Sequence, residues 1–388
     1  MTTPYDIIIV GGGVIGTSIA FQLAKRGKRV LLIEKHDLAA GASGSCDQQI
    51  ILQSKNPGNH LKLALKSAEL YQEIAQEIDH DLEYRQSGGM IVIESPEEMP
   101  IMREFVKRQR QTGLQVDVLD RKEAVKLQPG LAEHVVGATY SAQDAEVNPI
   151  EVTLGFAQAA RKSGAEVLLN TEVVSLIMSG YRVKGVETTH GRFYAEVLIN
   201  AAGAWAPQIG KMAGLNIPIT PRRGQIAITE PCAPFLRGVM LSAQYIVAKY
   251  HPEILKQSSD QAQQLGVGLA LSQSKKGNIL IGATREFAGY DTRVTYEGMK
   301  AILKNAARLV PPLKEMHLIR VMAGLRPYTP DGLPCIGWID GLEGLFIAAG
   351  HEGDGIALSP VTGKIVADLV CEGSTFVEMA PFAPNRFE

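Results

Sequence analysis

Several things are scarce in this sequence, and each shortage narrows what the protein does. There are only four cysteines, Cys46, Cys232, Cys335 and Cys371, and no two form a C-x-x-C pair. That spacing excludes an ordinary zinc or iron–sulfur site, so no metal ligands are expected, and it fits a reducing compartment. Charge of one sign is also missing. The formal net charge is −2 and no Lys/Arg cluster stands out, which argues against a nucleic-acid surface. No apolar run approaches the roughly 18 residues of a membrane span. The chain opens directly on a strand rather than on a basic region and a long apolar core, so a cytoplasmic location is expected, with peripheral membrane association left open. Internal repeats and low-complexity segments are absent. No carboxylate pair or Ser/His/Asp set demands a general base.

What is present is a long, glycine-rich, moderately apolar chain. Its 388 residues, 45% hydrophobic with 39 glycines, suit a two-domain α/β enzyme with many tight turns. The first stretch, Tyr5 to Glu34, is the most informative. A β-branched strand, Ile7 to Val10, runs into Gly11-x-Gly13-x-x-Gly16, and Ile19, Ala20, Leu23 and Ala24 then recur at helical spacing. Gly27 ends that helix, and Val30 to Ile33 form a second strand closed by Glu34. This is a βαβ unit with a dinucleotide fingerprint. The glycines allow a tight turn, close approach to a pyrophosphate, and close helix–strand packing, while the helix N-terminus offers free N–H groups. Glu34 is placed to accept hydrogen bonds from ribose hydroxyls and would repel a 2′-phosphate, which selects FAD or NAD over NADP.

Further along, Gly41 to Ser45 is a small-residue loop, and a helix is expected from Asn59 to Ile78 with Leu61, Leu65, Ala68, Tyr71, Ala75 and Ile78 on its core face. From Gly88 the texture changes to strand-like pieces alternating with charged helices. Asn148-Pro149-Ile150-Glu151 is a helix start with an N-cap, proline at N1 and glutamate at N3. Ala165 to Val174 is expected as strand. Glu196 to Asn200 repeats the opening pattern, a buried strand entering the small-residue turn Ala201-Ala202-Gly203-Ala204. Gly344 to Ala349 enters another glycine turn, Gly350-His351-Glu352-Gly353-Asp354-Gly355, at the start of a helix from Ile356 to Cys371. These patterns predict an α/β fold, α+β overall: a discontinuous Rossmann-like domain (1–85, 145–218 and 324–388) and a second, mainly antiparallel-sheet domain (86–144 and 219–323). Residues 250–265 are expected to be a surface insertion.

With those pieces assembled, the sequence resembles the D-amino-acid-oxidase-like superfamily of FAD-dependent amine and amino-acid oxidoreductases. Its nearest members are glycine oxidase, sarcosine oxidase and the catalytic β-subunits of bacterial proline, opine and cyanide-forming glycine dehydrogenases. The resemblance covers nearly the whole chain. It rests on the fingerprint with Glu34, the Gly41–Ser45 loop, Asn200 to Trp205, Gly324-Leu325-Arg326-Pro327 and Ala349 to Gly355. It implies that Gly11, Gly13, Val14, Ile15, Gly16, Glu34 and Lys35 hold the ADP half of FAD, with Val173 or Val174 contacting adenine. Ala42, Ser43, Asp47, Gln48 and Gln49 would follow the pyrophosphate and flavin, Ala202 and Gly203 would approach the ligand, and Gly353, Asp354, Gly355 and Ile356 would set a helix N-terminus at the flavin pyrimidine edge, where charge develops on reduction.

By the same resemblance Arg326 matches the arginine that grips the substrate carboxylate, a task suited to its bidentate fork. His351 is a further candidate flavin contact. Two departures follow. Gly324 stands where monomeric sarcosine oxidases carry a flavin-tethering cysteine, which implies non-covalent FAD. No tyrosine stands near Ala270, where glycine oxidase uses one to help hold the carboxylate; Tyr245 or Tyr250 is the available substitute. The implied reaction is oxidation of an α-amino or N-substituted amino acid (glycine, sarcosine, proline or an opine) to the imine by hydride transfer to flavin N5, followed by hydrolysis. The electron acceptor is oxygen, a quinone or a partner chain, with a possible electron-transfer subunit. The alternatives are a hydroxy-acid dehydrogenase of the same fold and a flavin-bound subunit without its own activity.

Overall fold

The computed structural model describes residues 5–250 and 264–387, the side chains of 247–250 excepted. The expected insertion at 250–265 therefore falls almost wholly outside the described residues, as does the side chain of Tyr250.

Ile7, Ile8, Ile9 and Val10 are buried on both faces of their strand, Tyr5–Val10, which places it mid-sheet. Each such side chain stabilises the fold by roughly 2 kcal/mol. Its neighbours are Val30–Ile33 on one side and Gly191–Asn200 on the other, both parallel to it. Glu166–Leu168 and Leu345–Ala349 extend the parallel run, and Cys335–Trp338 closes one edge antiparallel. Four helices, Val14–Lys25, Asn59–Glu77, Pro149–Lys162 and Gly355–Glu372, share one core with a face of this sheet. The other face is covered by the strands Val173–Ser179 and Arg182–Thr188 and the helix Ala206–Lys211.

Among the described residues, the second sheet has eight strands. Leu318–Tyr328 lies at its edge against Thr220–Pro231, followed by Asn278–Gly282, Ala270–Gln273, Val239–Ser242, Gly89–Ile93, Gly137–Ser141 and Asp117–Asp120. All its pairings are antiparallel except that of Val239–Ser242 with Gly89–Ile93. The division expected at 323/324 falls inside the strand Leu318–Tyr328, so Arg326 rides on the second sheet.

Local expectations fare unevenly. Asn148 caps its helix by accepting from the backbone N–H groups of Ile150 and Glu151. The single strand expected from Ala165 to Val174 is instead two, Glu166–Leu168 and Val173–Ser179, because the chain turns through Asn170, whose φ is +53°. The core face of Asn59–Glu77 is wider than expected: His60, Leu63, Ala64, Ser67, Leu70 and Ile74 are buried too, whereas Leu65, Ala68 and Ala75 sit at its margin. Polar His60 and Ser67 hide that face from a hydrophobicity count.

One device fixes the last helix. Pro360 removes the N–H that would bond the Ile356 carbonyl four residues earlier. The Tyr71 hydroxyl donates to that carbonyl at 2.6 Å, and the Ser359 hydroxyl does so at 3.0 Å. The orphaned acceptor is thereby satisfied, and the helix N-terminus is tied to the neighbouring Asn59–Glu77 helix.

No described helix is long and apolar enough to cross a membrane.

Candidate active site

A cavity runs from the carboxyl ends of the first sheet's parallel strands to the second sheet. At its first end, Gly11 adopts φ +118° with its Cα against the Ala201 carbonyl, where a Cβ would come within 2.5 Å. The helix Val14–Lys25 starts here with Gly13 as N-cap and no side-chain cap, so its first N–H groups face the cavity. One is taken: the Val14 N–H donates to Ser43 Oγ at 3.0 Å, which pins the small-residue loop over the turn. Glu34 accepts from the Gly12 N–H at 2.6 Å and the His36 N–H at 2.8 Å, so its carboxylate is oriented in advance at the cavity wall. Lys35 pairs with Glu172 at 2.7 Å, and both line this end with Thr171 and Val173.

Most of the residues expected from sequence meet here. Gly11, Gly13, Val14, Ile15, Glu34, Lys35, Ala42, Ser43, Asp47, Ala202, Gly203, Arg326, His351, Gly353, Gly355 and Ile356 all line the cavity. Five do not. Gly16 is one turn inside the helix, where a Cβ would meet the Gly11 carbonyl at 1.9 Å; it serves helix–strand packing. Val174 points to solvent at 49% exposure, and Val173 faces inward in its place. Gln49 belongs to a two-residue strand paired with Ala145–Glu146, and the Gln48 carbonyl accepts from the Val147 N–H, which turns both away. Asp354 turns its carboxylate back to the buried Lys55 and to His60, the latter at 3.2 Å.

At the second end, the cavity is walled by Gly224 and Ile226 of one strand and by Gly324 to Pro327 of its neighbour. The helix Gly355–Glu372 begins here, again without a side-chain cap on its first turn. Its free N–H groups and positive dipole end suit a group that gains negative charge. Two uncapped helix starts on one cavity, a pre-oriented carboxylate and a glycine-rich wall fit a flavin dinucleotide. At Gly324 a Cβ would lie 2.8 Å from Ser45 Cβ and 2.9 Å from the Ser45 carbonyl oxygen, so no tethering side chain has room.

His351 is buried, with Nε2 and Thr362 Oγ1 3.1 Å apart. Burial, reinforced by His60, pulls its pKa down to about 3, against a weaker opposing pull from Asp354, so the imidazole is neutral. Cys46 also lines the cavity; burial and the adjacent Asp47 push its thiol well up, which makes it a poor nucleophile. Arg326 donates from Nη1 to the Thr284 carbonyl at 2.9 Å. Burial first, and then the charge of Arg285, pull its pKa down from the ordinary guanidinium value. Sequence reasoning missed the groups around it: Arg222, whose Nη1 pairs with Glu352 Oε1 at 3.2 Å, and Arg285, whose guanidinium lies 3.9 Å over the Tyr245 ring. Glu352 has φ +48°, and although burial opposes it, Arg326, Arg285 and Arg222 together hold its carboxyl below the ordinary range. The register pairing of Arg222 with Arg326 was the one signal for this cluster, and it needs the strand partners to be known.

Comparison with known proteins agrees with this geometry. The family described as FAD dependent oxidoreductase matches residues 6–369. The chain is 34% identical to glycine oxidase of Geobacillus kaustophilus over 396 residues, covering 100% of this chain and 98% of the relative. It is 31% identical to the hydrogen cyanide synthase subunit HcnC of Pseudomonas aeruginosa over 430 residues, covering 100% and 97%. Among solved structures, L-proline dehydrogenase from P. horikoshii superposes with a TM-score of 0.89 at 29% identity, covering 100% of this chain and 98% of that one.

Proposed function

The chain belongs to the FAD-dependent oxidoreductase family, and from that premise we propose that Arg326 anchors the carboxylate of an amino-acid substrate while its Cα–H faces the flavin. FAD is the cofactor and amino-acid or amine oxidation is the activity class. FAD, when bound, would supply the acceptor for the hydride lost from the substrate Cα. As that C–H bond breaks, the nitrogen lone pair forms the C=N bond and the nitrogen gives up a proton to solvent. Water then adds to the imine, releasing ammonia or the free amine and leaving a carbonyl.

Gly11, Gly13, Val14, Ile15, Glu34 and Lys35 would hold the ADP half. Ala42, Ser43 and Asp47 would follow the pyrophosphate and flavin, and the free N–H groups at Gly355 and Ile356 would face the flavin's pyrimidine edge. His351 would contribute a neutral hydrogen-bonding wall. With Gly324 in close contact with Ser45, the reading takes FAD as non-covalent.

One observation carries the anchor: among the described residues, no carboxylate lies within 4 Å of the Arg326 guanidinium, although it faces the cavity. A carboxylate in its plane would make two parallel charge-assisted hydrogen bonds. Substrate then needs only its neutral amine and this anchoring to be correctly oriented. Arg326→Ala should raise the amine concentration needed for half-maximal flavin reduction by roughly a hundredfold. An unchanged value would overturn the assignment.

For the electron acceptor, the reading favours a partner chain over oxygen, because one relative is by name a subunit. Abundant peroxide from the isolated chain would contradict that. Four free cysteines support a reducing, cytoplasmic setting.

A further inference from the structure

Asp354 is the carboxylate best placed to compete with the flavin. It is the N-cap of the helix Gly355–Glu372, and aspartate is among the side chains that most readily cap a helix by accepting from its first N–H groups. Here it makes no such bond. Oδ1 lies 2.5 Å from Lys55 Nζ, and Oδ2 lies 3.2 Å from His60 Nε2. Both partners are buried behind the cavity wall: neither they nor Asp354 line the cavity, whereas Gly353, Gly355 and Ile356 do. The backbone agrees with the side chain, since Asp354 sits at φ −107° and ψ 2° rather than in the extended conformation of a capping residue.

Lys55 is itself fixed. Its N–H donates to the Leu52 carbonyl at 3.0 Å, and its carbonyl accepts from Gln109 Nε2 at 3.3 Å. Its Nζ also donates to Ser54 Oγ at 2.9 Å. A lone buried ammonium and a lone buried carboxylate are both costly, so each holds the other in place. A carboxylate that capped the helix would occupy its donors and set a full negative charge where the flavin gains one on reduction. Gly353 and Gly355 flank Asp354 and give its backbone room to turn. The ion pair with Lys55, with His60 beside it, is what keeps the carboxylate away.

Resting on the placement of the flavin's pyrimidine edge at Gly355 and Ile356 given above, we propose that Lys55 is a positioning residue: it holds the Asp354 carboxylate off its own helix, which keeps the first N–H groups for the flavin and raises the flavin's reduction potential.

The test uses the purified holoenzyme and reads the flavin rather than turnover. Lys55→Met removes the ammonium and keeps most of the side-chain length. Asp354 should then cap the helix, and reduced flavin should be held at least roughly tenfold less well relative to oxidised flavin, a fall in two-electron potential of about 30 mV for each tenfold. Ionisation of the oxidised flavin's N3–H, followed by absorbance, should move up by about one pH unit for the same reason. Lys55→Met/Asp354→Ala should return both readings towards wild type, because no carboxylate is left to cap. Lys55→Met/Asp354→Asn should fall between, since an amide still caps but carries no charge. These two double variants leave no buried charge unpaired between the two positions, so their comparison stands even if Lys55→Met alone fails to fold. An unchanged potential in Lys55→Met would overturn the proposal. So would an alanine double variant as low as the single one, which would leave Lys55 acting by its own charge or packing. Matching potentials in the alanine and asparagine double variants would overturn it too, since capping would then play no part. An N3–H that ionises no lower in the wild-type holoenzyme than in free FAD sinks the flavin placement as well. An ionisation lowered in wild type yet unmoved in Lys55→Met sinks this proposal alone.

Discussion

Gly224→Ala offers a way to move Arg326 without mutating it. Gly224 lies in an ordinary strand conformation, so alanine is tolerated by the backbone. A Cβ built there would lie 2.2 Å from Arg326 Nη1, 2.5 Å from Cζ and 2.6 Å from Nη2. Ordinary contact is about 3.5 Å or more, so the guanidinium must retreat by roughly 1 Å. It is the free end of a long side chain, so it can. The fold should lose little: about 1 kcal/mol from the bond to the Thr284 carbonyl, offset by about 0.4–1 kcal/mol from a stiffer unfolded chain. The substrate should lose at least one charge-assisted hydrogen bond, about 1.5–3 kcal/mol, which is roughly ten- to hundredfold in affinity. The assay is anaerobic flavin reduction across a range of amine concentrations, with thermal unfolding and flavin content measured in parallel. Arg326→Ala and the double variant complete a cycle, and the double variant should be no worse than Arg326→Ala alone. If Gly224→Ala kept wild-type saturation with normal flavin content, or if the two effects were additive, the placement of the anchor would be wrong.

Two other outcomes follow from the site. His351 binds a proton near pH 6.5 when unfolded but resists until about pH 3 when folded. Over that interval the unfolded state holds the extra proton, so stability falls as the solution is acidified, by about 1.4 kcal/mol per pH unit. His351→Gln should flatten that acid limb in urea titrations; an unaltered slope would show that the imidazole is not held neutral. Gly324→Cys should neither tether the flavin nor be tolerated quietly: its Cβ meets Ser45 at 2.8 Å, and overpacking of this kind costs about 1–3 kcal/mol. Acid precipitation should release all the flavin from the wild-type chain, and a protein-bound yellow residue would contradict the non-covalent reading.

The nucleotide end was legible because local rules set it. Strand, glycine turn, helix and acidic strand end lie within Tyr5 to Glu34, and the structure adds only how Glu34 is braced, through the Gly12 and His36 N–H groups. The substrate end was legible chiefly at Arg326, because its neighbours arrive from distant segments. Arg222 comes by cross-strand register, Arg285 by a turn beyond Gly282, and Tyr245 from the helix Ala243–Tyr250. Neither arginine carries a local signal, and Tyr245 was legible only as one of two substitutes for a missing tyrosine. Asp354 failed for a different reason. Its position at a helix start looks like a ligand contact, yet the buried Lys55 gives its carboxylate a better partner behind the cavity. Of the alternatives Val173 and Val174, only Val173 lines the cavity, since neighbouring residues of a strand face opposite ways.

The central claim, that this chain oxidises an amino acid held by its carboxylate against FAD, is tested most directly by one measurement. The purified yellow holoenzyme is mixed anaerobically with amino, N-substituted amino and hydroxy acids, and bleaching of the flavin is followed. The account predicts that amines bearing a carboxylate reduce the flavin, and that esterifying that carboxylate abolishes the reaction. Reduction by hydroxy acids alone, or equal reduction by the esterified amines, would contradict it.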